Sequence, residues 1–132
     1  MVIDDYAHHP TEIEATMKSV ELYDNLTNFN DRIVLWQPHK YSRTSDNLEG
    51  FKKCFRRCDE LIILPLWTVA GEKKIDIDFE KEFASYNPIF ADRVVSYKGK
   101  IELIKDDKII KTYDEGIFLG VGAGDITYQL RY

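Results

Sequence analysis

The spacing of apolar positions changes along the chain, and each change marks an element. Val2 and Ile3 read as the end of a short strand, and Pro10, a residue suited to a first helical turn, opens a helix expected to run to about Leu26. Ile13, Met17 and Val20 fall on its buried side. After the polar turn Asn25 to Asp31, the run Arg32-Ile33-Val34-Leu35-Trp36 lacks alternation, as expected of a strand covered on both faces, and ends at Gln37-Pro38. From about Ser45 to Cys58, apolar residues recur at 48, 51, 55 and 58, a helical period. Leu61-Ile62-Ile63-Leu64, closed by Pro65, is a third buried strand. A loop from Trp67 to Lys74, a weaker helix around Asp78 to Ser85 and a short strand near Arg93 to Tyr97 follow.

This alternation with short connections predicts an α/β fold, a Rossmann-like three-layer sandwich with a mostly parallel sheet of about six strands and helices on both faces. Beyond Lys98 the pattern changes: Ile101 to Ile104 and Ile109 to Tyr113 flank Asp106-Asp107-Lys108 and read as a β-hairpin. Ile117-Phe118-Leu119 is a last strand that runs into glycines at 120, 122 and 124. Parallel sheets bind ligands beyond the carboxyl ends of their strands. Asp4 to His9, Gln37 to Thr44 and Trp67 to Glu72 each follow such an end, so three polar loops are expected on one edge.

Length and charge narrow the picture. The 132 residues, 44% hydrophobic, suit one domain with one core, and eight Tyr, seven Phe and two Trp can fill it. No window approaches the roughly eighteen apolar residues of a membrane span. The N-terminus lacks the basic and apolar pattern of a secretory signal, so a cytoplasmic location is expected. A net charge of −5 argues against nucleic acid or an anionic membrane as partner. Lys52, Lys53, Arg56 and Arg57 read as a solvated helix face. Cys54 and Cys58, one turn apart with few histidines in the chain, suggest neither a disulfide nor a zinc site; Cys58 continues the apolar series as a small buried residue.

Two clusters carry chemistry. In "DDYAHHPTE", Asp4 and Asp5 could accept from a sugar diol or hold Mg²⁺, while His8 and His9 precede a helix N-terminus that favours anions. The simpler alternative is that Asp and His only cap the helix. In "QPHKYSRT", His39, Lys40 and Arg43 offer donors suited to a carboxylate or phosphate, against a reading in which Ser42 or Thr44 caps a helix and the cations are solvated. The glycines after the last strand lack the following helix that a dinucleotide-binding turn requires, only seven residues coming after Asp125, so a tight turn shaping the loop edge is the better reading.

At "DDYAHHPTEI" (4 to 13), "QPHKYSRT" (37 to 44), "AGE" (70 to 72) and "GAGDI" (122 to 126), the sequence resembles the C-terminal domain of the Mur ligases, within them the branch that adds L-alanine to UDP-N-acetylmuramate. The four segments stand in family order and span nearly the whole chain. The resemblance implies an ATP- and magnesium-dependent ligase of peptidoglycan precursor synthesis, which activates a carboxylate as an acyl phosphate for attack by an amino acid's amine. It implies that the domain closes over ATP held by a central domain, its own partner within the enzyme. By position, Asp5 would contact the ATP ribose, and His8, as catalytic and cofactor-binding residue, would sit near phosphates and Mg. Tyr6, His39, Lys40 and Arg43 would bind substrate.

Lys40 stands where the family more usually has arginine, which keeps the charge but loses the bidentate fork. The hairpin also departs from the family, where a helix is expected before the last strand. No Gly-Lys-Thr phosphate loop occurs in the 132 residues, and the chain begins where the family's third domain begins. The expectation is therefore a single-domain fragment, residues 1–132, without the N-terminal and central domains. Alone it would be inactive, with weak nucleotide binding at most and an apolar patch through which it could self-associate.

Three alternatives compete. A sister ligase that attaches a recycled tripeptide shares the first segment but matches "QPHKYSRT" less well. A metal-dependent phosphohydrolase built on Asp4, Asp5, His8 and His9 has too few further ligands, His39 being the third histidine. A non-enzymatic nucleotide-sensing module is the remaining class.

Overall fold

The computed structural model describes residues 2–5, 9–27, 31–98, 100–122 and 126–130; for residues 4, 5, 24–27, 127 and 128 it describes the backbone. Strand β1 (Val2–Asp5) is followed by helix α1 (Pro10–Thr27), strand β2 (Arg32–Trp36), helices α2 (Tyr41–Asp46) and α3 (Leu48–Cys54), and strand β3 (Glu60–Ile63). Helix α4 (Phe79–Glu82) and the 3₁₀ turn Ala84–Tyr86 lead to strands β4 (Ile89–Phe90), β5 (Arg93–Tyr97), β6 (Lys100–Lys105), β7 (Lys108–Tyr113) and β8 (Ile117–Val121), and to helix α5 (Ile126–Leu130).

Five strands form one sheet in the order β1-β8-β2-β3-β4, with every neighbouring pair parallel. The unbroken apolar runs explain its burial. Val34, Trp36, Leu61, Ile63, Ile117, Leu119 and Val121 face Ile13 and Met17 of α1 and Phe51 of α3, while their alternates Ile33, Leu35, Ile62 and Phe118 face the opposite layer. The helical side centres on Trp36, whose ring lies 5.0 Å from both Phe51 and Phe55 and 5.2 Å from Phe83.

The opposite side differs from the sequence expectation. Arg93–Tyr97 does not extend the parallel sheet; it pairs with the hairpin in a separate antiparallel sheet, β5-β6-β7. That sheet and α5, rather than a second set of helices, cover this face, through Val94, Ile101, Leu103, Tyr113, Ile126 and Leu130. The three layers stand, but the third is mostly β, and the parallel sheet has five strands instead of about six. The hairpin turn is Asp106-Asp107, both at positive φ (52° and 61°), as a two-residue turn with the twist of its strands requires. Asp92 Oδ2 holds the Asp106 N–H at 2.8 Å.

The helix expected from Ser45 to Cys58 starts earlier and is broken at Asn47, which closes α2 and opens α3. Cys54 is the more buried thiol, and Cys58 packs at the margin of the same core. Ion pairs join the helical layer: Arg56 to Glu14 at 2.8 Å, and Arg57 to Glu21 at 3.0 Å. Among the described residues, no helix is long and apolar enough to cross a membrane.

Candidate functional site

Because the strands of the main sheet are parallel, their carboxyl ends share one edge. The registers place Asp5, Val121, Trp36 and Ile63 in one row across β1, β8, β2 and β3. From that row β1, β8 and β2 lead into the segments 4–13, 122–126 and 37–44, of which 6–8 and 123–125 lie outside the described residues, and the chain beyond β3 reaches the same edge at 70–72, where Glu72 bonds to Ser42. The topology thus gathers four segments distant in sequence onto one edge.

Tyr6 and His8 lie outside the described residues, and Asp5 is placed by its backbone at the end of β1. His9 is exposed, and its ring Nδ1 accepts the Thr11 N–H at 3.3 Å, while its carbonyl accepts from Ile13 at 3.0 Å. His9 therefore does the capping work that the simpler reading assigned to this cluster. It borders an open groove of about 460 Å³ between the start of α1 and the α2–α3 junction, lined by Thr11, Ser45, Asn47 and Gly50.

The second cluster is more constrained. Arg43 Nη1 lies 3.0 Å from His39 Nδ1; a guanidinium can only donate, so this imidazole nitrogen accepts and the ring is neutral in the pair. Lys40, between them, holds φ 66° and ψ 135°, a strained conformation for a residue with a side chain. Its backbone is fixed on both sides. The Lys40 N–H donates to the Trp67 carbonyl at 2.8 Å, and its carbonyl accepts from the N–H and hydroxyl of fully buried Thr44 at 3.1 and 2.8 Å. Trp67 N–H in turn reaches the Pro38 carbonyl at 2.7 Å, so the β2–β3 pairing continues into both loops.

Two residues of the quoted segments, given no role by sequence reasoning, organise this edge. Gln37 is 5% exposed; its Oε1 accepts the Ile126 N–H at 2.9 Å and its Nε2 donates to the Pro65 carbonyl at 3.4 Å. It thereby ties the β2, β3 and β8 loops together. A glutamine between a buried apolar run and a proline was the available signal. Glu72 accepts from the N–H and hydroxyl of Ser42 at 3.0 and 3.3 Å and from the Thr68 hydroxyl at 3.2 Å. Partial burial pushes its carboxyl up, but the hydrogen bonds from Ser42, Thr68 and Val69 together outweigh this and hold it below the ordinary value.

Gly120, within β8, and Gly122, just after it, serve packing. A Cβ on Gly122, at φ +137°, would lie 2.5 Å from the Gln37 carbonyl oxygen, and one on Gly120 would lie 2.2 Å from Leu130 Cδ1. A helix does follow the glycines, but α5 spans five residues and its first N–H is taken by Gln37. Among the described residues, no three of His, Cys, Asp and Glu converge to hold a metal ion.

No protein-family model matches the sequence. Curated relatives do. The chain is 56% identical over 133 aligned residues to the UDP-N-acetylmuramate–L-alanine ligase of Helicobacter pylori, covering 99% of this chain and 29% of that enzyme. It is 48% identical over 131 residues to the enzyme of the same name from Campylobacter curvus, and 37% identical over 131 residues to that of Campylobacter jejuni subsp. doylei. The chain thus spans less than a third of the length of the relatives it matches.

Proposed function

Since this chain is homologous along 99% of its length to a C-terminal portion of the UDP-N-acetylmuramate–L-alanine ligases, we propose that it forms the closing half of an ATP-dependent ligase site that joins L-alanine to UDP-N-acetylmuramate. The observation that carries the reading is the shared sheet edge. The segments that resemble the family leave it side by side, and the His39–Arg43 pair stands there at 3.0 Å.

In this reading, Asp5 at the end of β1 contacts the ATP ribose and His8 sits near the phosphates and Mg. ATP supplies the activation of the substrate carboxylate as an acyl phosphate. Tyr6, His39, Lys40 and Arg43 bind and orient the nucleotide sugar or the incoming amino acid. Arg43 suits a carboxylate because its planar fork can donate two parallel N–H bonds, and the bond to His39 fixes that plane. Lys40 adds a compact positive charge from a pinned backbone. Mg is held by ATP and a central domain, and the enzyme works in the bacterial cytoplasm on peptidoglycan precursors.

The 132 residues alone contain no Gly-Lys-Thr phosphate loop, so by themselves they bind nucleotide weakly at most and do not turn it over. The test replaces the corresponding segment of the H. pylori ligase with this chain. The chimaera is expected to release phosphate from ATP only with both UDP-N-acetylmuramate and L-alanine present, while the isolated chain releases none. A chimaera that folds but forms no product, or one that prefers a tripeptide to L-alanine, overturns the assignment.

A further inference from the structure

We propose that Glu72 is a positioning residue for the substrate-binding pair, holding His39 and Arg43 in register through the strained backbone of Lys40. The proposal rests on the assignment of that pair to substrate and adds a residue to which no role has been given.

The argument is geometric. The first N–H groups of a helix have no partner within it, and Ser42 offers one of these at the start of α2. Glu72 Oε1 takes it at 3.0 Å together with the Ser42 hydroxyl, while the other carboxylate oxygen takes the Thr68 hydroxyl at 3.2 Å. The Glu72 N–H donates to the Val69 carbonyl at 3.2 Å, so the 68–72 turn is closed on itself before it grips α2. Residues 38–42 and 67–72 are thus clamped at two points: the backbone bonds between Pro38, Lys40 and Trp67, and the Glu72–Ser42 bonds. The Lys40 N–H belongs to the first point, and its φ and ψ lie between that bond and Ser42.

A non-glycine residue stays at φ 66° only while its surroundings leave it no alternative. Removal of the Glu72 carboxylate releases the start of α2 at Ser42 and leaves Trp67 and Thr44 alone to hold Lys40 against rotation toward ordinary φ. His39 and Arg43 flank it, on the loop side and on α2 respectively, so that rotation separates the 3.0 Å pair. Glu72 itself need not touch substrate for this to matter.

The test uses Glu72→Ala, Glu72→Gln and Thr68→Val. In the 132-residue protein, nitrogen NMR of the imidazole reads whether His39 Nδ1 still accepts a hydrogen bond at neutral pH. Glu72→Ala is expected to move that signal toward a free neutral imidazole, and Glu72→Gln, which retains one acceptor oxygen for Ser42, to restore most of it. Thr68→Val, which leaves the Ser42 bonds in place, is expected to fall between wild type and Glu72→Ala.

In the H. pylori chimaera, Glu72→Ala is expected to raise KM for L-alanine or UDP-N-acetylmuramate about tenfold, with KM for ATP and kcat held within about twofold, the loss of roughly one oriented charged hydrogen bond. An Nδ1 signal unchanged in Glu72→Ala overturns the positioning role whatever the kinetics. A moved signal with both substrate KM values unchanged overturns the assignment of His39 and Arg43 to substrate, and the inference that rests on it.

Discussion

Gly122→Ala probes the contact that closes the candidate site from the β8 side. Gly122 has φ +137°, and an added Cβ would lie 2.5 Å from the Gln37 carbonyl oxygen, a backbone atom that cannot swing aside as a side chain can. The backbone strain alone is of order 1–3 kcal/mol. Relief of the overlap shifts Gln37, whose side chain holds the Ile126 N–H at 2.9 Å; an orphaned buried donor costs about 1–3 kcal/mol. The expected destabilisation is therefore roughly 2–6 kcal/mol by these two mechanisms, a fall in Tm on the order of 6–24 °C at about 3–4 °C per kcal/mol for a domain of this size.

Urea unfolding and calorimetry measure the loss, with Gly71→Ala as the control. Gly71 also has positive φ (+82°) but nothing lies within 4 Å of its Cβ position, so that variant carries conformational strain alone, about 1–2 kcal/mol. A Gly122→Ala protein no less stable than Gly71→Ala, within about 0.5 kcal/mol, refutes the claim that close approach to Gln37 fixes this loop.

Phe83→Ala removes a fully buried ring packed on Trp36 and Phe79, and should cost about 3–5 kcal/mol in chemical denaturation. Glu72 has a lowered native pKa, so its stabilising contribution is present above the ordinary value of 4.5 and is lost as pH falls through the native value. The stability gap between wild type and Glu72→Gln should accordingly shrink below about pH 4.5 and stay flat from there to neutrality, as acid titration by circular dichroism would show. Burial, then the neighbouring Asp59 charge, push the Cys58 thiol up to about 12. At pH 8 iodoacetamide should label it on the order of a thousandfold more slowly than an ordinary thiol, read by mass spectrometry.

Much of the architecture was legible because it rests on local periodicity. The Ile13, Met17 and Val20 spacing specified the buried side of α1, and the unbroken runs at 32–36 and 61–64 identified strands with two covered faces. What periodicity could not reveal was what covers the second face. Val94 and Leu103 need an apolar neighbour, and their sequence is equally compatible with an added parallel strand or a separate antiparallel sheet. The break at Asn47 was hidden for a similar reason: residues 48, 51 and 55 keep a helical period whether or not the turn before them is continuous.

The sequence by itself determined the residue types at the sheet edge and their order, and their resemblance to a ligase family is what the proposed chemistry starts from. It also determined which segments leave the carboxyl ends of strands, because strand–helix alternation forces parallel pairing. Only the tertiary structure decided how those segments hold one another. Gln37 meets Ile126 across 89 positions and Ser42 meets Glu72 across 30, and neither pairing has a local signal. Buried or partly buried polar groups must find partners, but a chain read in one dimension does not say which. Here Trp67 and Thr44 hold a strained Lys40, and His39 and Arg43 are paired on either side of it.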